Sequence, residues 1–340
     1  MGDNPWCHCA RAVAECTAVD RGEYHGCRGD ATAVDNATKD YDIGMIKIVT
    51  YNIQFGQGRD GKVDLSRIID AVQGADVIAL QEVDRFWTRS QMVDQVKVLV
   101  DAFPGYDHAF GAGVDQAAGG SGEDGRPQRR QFGNLFLSRE SIEYCRHHLL
   151  PKSASIGPLS IQRSALECAV TFSGTRRIRF VNTHLTHLCS ETRVPQVQRL
   201  LRIHKEAPHE GLPVCGAIEV NPLRDGGDYW AEGLMSGEVS SNAVMLGDFN
   251  CTPDTPEYEL ITGPLSPYGG RVTHPLGFLD AWLYAGGDPD GGFTSDVKNE
   301  PARLDYAFVS AGLRERISRC WVDDVASGSD HQPVWLELAD

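Results

Sequence analysis

The sequence predicts an α/β protein in which two mixed sheets pack face to face, with helices on their outer sides. Three observations carry this expectation. First, apolar, β-branched runs are separated in places by amphipathic helical stretches, as parallel crossovers require, and elsewhere follow one another directly, as hairpins do. Second, 340 residues with 41% hydrophobic and 23% charged content suffice for a large core and match neither a fibrous nor a disordered chain. Third, the character of the chain changes at Met45. Residues 1–44 are rich in Gly, Asp and Ala without a period, and are expected to be a poorly ordered N-terminal extension. The run MIKIVTYNI then opens a compact domain over residues 45–340, and could itself be its start, with an upstream mis-assigned start before it.

The elements follow in order. Residues 46–52 read as a buried strand. Asp64 caps a helix whose apolar residues Leu65, Ile68, Ile69 and Val72 recur at i, i+3, i+4 and i+7. ADVIALQE (75–82) is a second buried strand, and Ser90 is expected to cap a second helix through Val93, Val96, Leu99, Val100 and Phe103. Residues 111–128 read as a Gly-rich loop. NLFLS (134–138), ALECAVTF (165–172) and RIRFVNTHL (177–185) are strands, and Ser190 opens a helix to about Lys205. Residues 206–242 lack a period and read as an insertion or long loop, in which Tyr229, Trp230, Leu234 and Met235 would suit a lipid-facing surface or merely bury the loop. AVMLGDF (243–249), RLDYAFVS (303–310) and PVWLEL (333–338) complete the strands. No internal repeat is evident.

Composition also narrows function. A formal net charge of −15 argues against coating nucleic acid by bulk electrostatics, although a divalent metal can supply positive charge locally. No apolar run reaches membrane-spanning length, and the first residues carry neither a basic nor an apolar leader segment, so a soluble, cytoplasmic monomer without an obligate protein partner is expected. Of ten cysteines, Cys145, Cys168, Cys189, Cys215, Cys251 and Cys320 read as buried thiols. Cys7, Cys9, Cys16 and Cys27 crowd the extension in a spacing that fits zinc patterns poorly.

Strand ends are where chemistry is expected. IVTYN ends on Asn52, VIALQE on Glu82, and RFVNTHL closes with Asn182 and His184. VMLGDFN ends on Asp248 and Asn250, Asp305 begins another strand, and SGSDHQPV places Asp330 and His331 before the last. One such end is ordinary turn chemistry, since Asp and Asn are common turn residues. Five or six converging ends point elsewhere. Glu82 and Asp330 are hard oxygen ligands suited to Mg²⁺ or Mn²⁺. His331 and His184 can donate hydrogen bonds to a phosphoryl oxygen, Asp305 can fix a histidine tautomer, and Asp248 with Asn250 can orient and deprotonate a water. These parts fit metal-assisted displacement at phosphorus.

LQEVD (80–84), NTHL (182–185), GDFN (247–250), RLDYAFVS (303–310) and SDHQPV (329–334) together resemble the ordered motifs of the endonuclease/exonuclease/phosphatase, or deoxyribonuclease I-like, superfamily. That family includes nucleases, neutral sphingomyelinases and inositol polyphosphate phosphatases. The resemblance covers about residues 45–338. It implies a four-layer α/β/β/α sandwich and divalent-metal-dependent hydrolysis of a phosphoester, foremost a phosphodiester. Residue by residue, it implies Asn52, Glu82 and Asp330 for the metal, with Glu82 the principal Mg²⁺ ligand. Asp248 and Asn250 match the nucleophile-positioning pair, Asp305 the histidine partner, His331 the catalytic histidine, and His184 the second histidine. PARLDY lacks the Trp-Cys pair of inositol 5-phosphatases, and Gln54 stands where abasic-site endonucleases often carry an acid or amide followed by Gly, so neither assignment is supported.

Bland readings stand beside these. Asn52 and Asn250 would serve as strand-end caps and His184 as a satisfied core histidine. His187 reads as a helix-cap neighbour, Arg85, Trp87 and Arg89 as packing rather than substrate contacts, and RPQRR (126–130) as a solvated loop or, less favoured, a grip on a phosphate backbone. A calcineurin-like two-metal phosphoesterase would need histidine motifs that are absent. A catalytically inactive phosphate-binding module would have lost Glu82, Asp248 or His331, and all three are present. The substrate is left open between nucleic acid, a lipid headgroup and a small phosphodiester or phosphomonoester.

Overall fold

The computed structural model describes residues 44–122, 125–172, 177–216, 233–296 and 300–339. The extension, its four cysteines, Tyr229 and Trp230 lie outside them. Twelve strands are described: β1 (Met45–Asn52), β2 (Val77–Arg85), β3 (Asp107–Ser121), β4 (Pro127–Ser138), β5 (Ile142–Leu149), β6 (Ser164–Val170), β7 (Ile178–His184), β8 (Ala243–Asp248), β9 (Phe278–Asp280), β10 (Asp305–Ser310), β11 (Ile317–Val322) and β12 (Val334–Ala339). With them come α1 (Leu65–Ala71), α2 (Gln95–Ala102), α3 (Ser190–Glu210), α4 (Pro256–Thr262) and α5 (Ala281–Tyr284).

They form two six-stranded sheets, ordered β11-β12-β1-β2-β4-β3 and β5-β6-β7-β8-β10-β9. Each sheet has one parallel pair, β1 with β2 and β7 with β8, and the remaining pairs are antiparallel. A parallel pair needs a long crossover, and the chain supplies α1 within the first and α3 within the second. The two parallel pairs lie across from one another, β1 against β8 and β2 against β7.

Strand alternation builds the layers. Ile46 and Ile48 of β1, Val77 and Ala79 of β2, Phe180 of β7, Val244 and Leu246 of β8 and Leu336 of β12 meet in one apolar layer between the sheets. Their neighbours Val49, Tyr51, Ile78 and Leu80 turn outward beneath Ile68 of α1, Val72 at its C-terminal end and Leu99 of α2. On the other side Val181, Met245, Tyr306 and Phe308 pack under Val197, Leu200 and Ile203 of α3 and Tyr258 of α4. The four-layer α/β/β/α sandwich is therefore built by period-two alternation. No described helix is long and apolar enough to cross a membrane.

Several local expectations are corrected. Residues 111–128 are mostly strand, because β3 and β4 form a long hairpin at the sheet edge. Gly and Ala dominate β3, which has neither the branched side chains nor the clean alternation that marked the other strands. The second helix is capped by Asp94, which accepts from the Lys97 N–H, while Ser90 Oγ donates to Asp84 at 2.9 Å instead. The third helix is preceded by Cys189 and runs on to Glu210, so the expected insertion begins later. Cys145, Cys189 and Cys215 are exposed, and Cys168, Cys251 and Cys320 are buried. Met235 packs against the small cluster around Tyr144 and Leu212, whereas Leu234 is exposed.

Candidate active site

The layer between the sheets changes chemistry along its length. The inner-facing positions of β1 run Ile46, Ile48, Thr50, Asn52, those of β7 run Ile178, Phe180, Asn182, His184, and those of β8 run Val244, Leu246, Asp248. At one end the sheets are glued by apolar contact, and at the other they present polar groups. Between the two zones lies a polar floor. Gln81 Nε2 donates to Asn182 Oδ1 at 2.8 Å, and Asn182 Nδ2 donates to the carbonyls of Leu80 and Leu135.

Glu82 breaks the alternation, since the residue after inner-facing Gln81 should point outward. Leu80 pairs with Leu135 and Val83 with Gly133, so Gln81 and Glu82 together face one residue, Asn134. This is a β-bulge, and Glu82 has a left-handed φ of 60°. The bulge turns the Glu82 carboxylate into the cleft and returns Val83 to the helix side.

Asp248 is the hub. Its Oδ2 accepts from Asn52 Nδ2 at 2.9 Å, and its Oδ1 accepts from the Asn250 backbone N–H at 2.8 Å. His184 Nε2 lies 3.2 Å and His331 Nε2 lies 3.8 Å from Asp248 Oδ2. Asp305 holds His331 through a 2.7 Å Nδ1–Oδ2 contact, and the Asp305 N–H donates to Thr294 Oγ1. The loop carrying Asp330 and His331 is pinned to the end of β1. Ser329 Oγ donates to the Asn52 carbonyl at 2.7 Å, and Gln54 Nε2 donates to Asp330 Oδ2 at 2.8 Å. All eight residues expected from the sequence thus come together.

One participant was missed. Arg163, 4% exposed at the entry of β6, donates from Nη1 to His184 Nδ1 at 3.0 Å, and its buried Nε has no acceptor among the described residues. A lone arginine just before the buried run SALECAV was the available signal. Nδ1 thus faces a donor, while Nε2 lies between the Asn250 amide nitrogen at 3.1 Å and Asp248 Oδ2 at 3.2 Å. His187 also lines the cleft, with Nδ1 3.4 Å from Arg163 Nη2, rather than standing apart as a cap neighbour.

The electrostatics separate the two histidines. Burial, reinforced by the Arg163 charge, holds His184 well below its ordinary range, so it stays neutral. Burial also pulls on His331, but Asp305 and Asp248 outweigh it and raise the imidazole to about 10, so it is a cation at neutral pH. Burial lifts Asp248 well above the usual carboxylate range. Glu82 is lifted by burial against the opposing charge of Arg163, and its carboxylate accepts no hydrogen bond from any described residue.

That carboxylate, open to the cleft and free of a described donor, tests the fit of a cation. Glu82, Asp330 and the Asn52 amide offer hard oxygen atoms along one side of the cleft, a donor set that suits Mg²⁺ or Mn²⁺. Asp248, Asp305 and His331 also bring ligand-type atoms within 4.8 Å of one another. There, however, Asp305 already engages His331 Nδ1, and a protonated imidazole is no ligand. The Glu82 side fits a metal; the His331 side fits proton transfer. The cleft itself measures about 230 Å³. A larger cavity of about 1030 Å³ between α3 and α4 is mostly apolar and contains none of these groups.

The family model described as "Endonuclease/Exonuclease/phosphatase family" matches residues 49–331. Among solved structures, an endonuclease/exonuclease/phosphatase from Beutenbergia cavernae superposes with a TM-score of 0.59 at 20% identity, over 87% of this chain and 71% of that one. A mannosyl-6-phosphatase from Bacteroides thetaiotaomicron gives a TM-score of 0.55 at 18% identity, over 87% of this chain and 100% of its own. The human Nocturnin catalytic domain with bound sulfate gives 0.54 at 14%, covering 87% and 94%. No curated protein matches the sequence closely.

Proposed function

This chain belongs to the endonuclease/exonuclease/phosphatase family, and from that premise we propose that it is a Mg²⁺- or Mn²⁺-dependent hydrolase that cleaves a phosphodiester by in-line attack of water. The observation that carries the reading is the split of the cleft into a solvent-facing carboxylate side at Glu82 and a cationic His331 held 2.7 Å from Asp305. Glu82, Asp330 and Asn52 would hold the metal, which when bound supplies charge neutralisation at the phosphoryl oxygens.

The remaining work falls to the chain. Asp248, raised by burial, is poised to accept a proton from the attacking water, and Asn52 with the Asn250 N–H fixes its two oxygens. Neutral His184, 3.2 Å from Asp248 and 3.1 Å from the Asn250 amide nitrogen, packs beside the carboxylate and keeps it aimed. His331 donates a hydrogen bond to the developing negative charge, with Asp305 holding its ring and its proton. Arg163 adds positive charge at the cleft floor. Among the structural neighbours one is a mannosyl-6-phosphatase and another holds sulfate, which supports oxyanion chemistry on this fold.

The test is a parallel hydrolysis assay. Bis-p-nitrophenyl phosphate, p-nitrophenyl phosphate, single-stranded DNA and sphingomyelin are each offered with Mg²⁺, with Mn²⁺ and with excess chelator. Metal-dependent turnover of a diester above the monoester is expected. Metal binding without turnover of any diester would overturn the reading.

A further inference from the structure

Beyond the catalytic residues, one wall of the cleft is a stack of rings and guanidinium groups. The Arg89 guanidinium lies 4.5 Å from the Phe55 ring, 4.6 Å from Trp87 and 5.2 Å from Phe132, and Arg130 lies 5.0 Å from Trp87. Phe55, Arg89 and Phe132 line the cleft. Arg130 stands two positions before Phe132 on β4, which pairs with β3 without a shift from Arg130 to Phe132, so it shares that strand face roughly 7 Å further along the wall.

Deep in the cleft Arg163 is engaged by His184 and His187, and along the outer wall charge accounting leaves Arg130. Arg85 pairs with Asp94 at 2.6 Å, Arg89 with Asp84 at 2.8 Å, and Arg129 with Asp115 at 2.6 Å. Among the described residues Arg130 reaches only the Ala118 carbonyl, at 3.5 Å, and its buried Nε has no acceptor. In a chain of net charge −15, an arginine without a carboxylate partner beside a phosphoester cleft is a directed attraction for an anion. The aromatic groups here do not offer a base-stacking platform. Trp87 is flanked by two guanidinium groups, and its indole N–H is already donated to the Gln131 carbonyl at 2.7 Å. The wall is built to read charge.

We propose that Arg130, held by Trp87, binds a second phosphate of the substrate, one step outward from the phosphate that is cleaved. Preferred substrates then carry at least two phosphates in sequence, as a nucleic-acid strand or a bisphosphorylated small molecule does. This rests on the phosphoester-hydrolase reading above.

The experiment measures calorimetric binding to the full chain in chelator, where metal-dependent hydrolysis is silent. The probes are inorganic phosphate, a 5′-phosphorylated thymidine trinucleotide and a hexose bisphosphate. Arg130→Gln is expected to weaken one or both of the latter about tenfold, as losing one charge-assisted hydrogen bond does, and to leave inorganic phosphate within about twofold. For the trinucleotide, the slope of log affinity against log salt should flatten by about 0.7, and Arg130→Lys should keep the original slope. Loss on the trinucleotide alone assigns a nucleic-acid strand, and loss on the bisphosphate alone a small molecule. If all three probes weaken alike, if none changes, or if wild type prefers neither larger probe to inorganic phosphate, the proposal is overturned. Should the diester assay fail while the selective loss persists, the hydrolase reading falls and the second-phosphate contact stands.

Discussion

At the scale of single residues, the site is a set of polar groups whose neighbours decide their protonation. His184 and His331 are the same amino acid within one cleft, yet burial together with Arg163 lowers one while Asp305 overcomes burial to raise the other. Asp305→Asn would leave the ring in place but remove the charge that keeps it an imidazolium. On the proposed mechanism this lowers kcat by roughly three orders of magnitude or more, with a far smaller effect on KM. Steady-state kinetics of that variant, together with the His331 titration followed by NMR, check the point; an unshifted titration would mean that Asp305 does not govern His331. Most of these residue identities were legible in the sequence, because each sits at the end of an apolar run. Arg163 was not, since its role depends on contacts across the cleft with His184 and His187 that no spacing along the chain encodes.

At the scale of elements, strand alternation delivers the groups, and two departures from it matter most. One is the bulge that turns Glu82 inward. The other is Gly247, immediately before Asp248, with φ at 137° and its backbone so close to β7 that an added Cβ would stand 1.8 Å from the Thr183 carbonyl oxygen. Gly247→Ala should therefore destabilise the protein by more than about 3 kcal/mol, whereas Gly74→Ala, at open surface, costs about 1 kcal/mol. Urea unfolding of both variants distinguishes them, and equal midpoints would contradict the close approach. Strand β1, α1, β2, β6, β7, β8, β10 and β12 were readable because each pairs a clear hydrophobic period with a stop signal. Strand β3 hid in Gly and Ala, and β5, an edge strand, alternates exposed and partly buried residues without an apolar run. The bulge was invisible in sequence because a single extra residue changes a facing direction without changing composition.

At the scale of the whole molecule, the two sheets are joined by apolar contact at one end and by polar groups at the other, and a further buried ion network ties the second sheet to α3. Glu167 of β6 meets Arg179 of β7 at 2.7 Å and His148 of β5 at 3.0 Å, and Arg179 reaches toward His204 of α3. Burial would raise the Glu167 carboxyl, but His148 and Arg179 outweigh it and hold it at about 2, below its ordinary 4.5. Because the folded value lies below the unfolded one, this contribution of about 3 kcal/mol is present above pH 4.5 and is lost as pH falls toward 2. Glu167→Gln should be less stable at neutral pH and should show a shallower loss of stability through that window. Parallel stability–pH curves for the two proteins would contradict the assignment.

The most direct test of the central claim is one rate comparison: diester hydrolysis by wild type and by His331→Ala, each in Mn²⁺ and in chelator, with circular dichroism to establish that both are folded. A metal-dependent rate that falls by roughly three orders of magnitude in His331→Ala, and that vanishes in wild type under chelator, is the predicted result. A folded His331→Ala protein that turns over the diester at the wild-type rate, or a wild type indifferent to chelator, would contradict it.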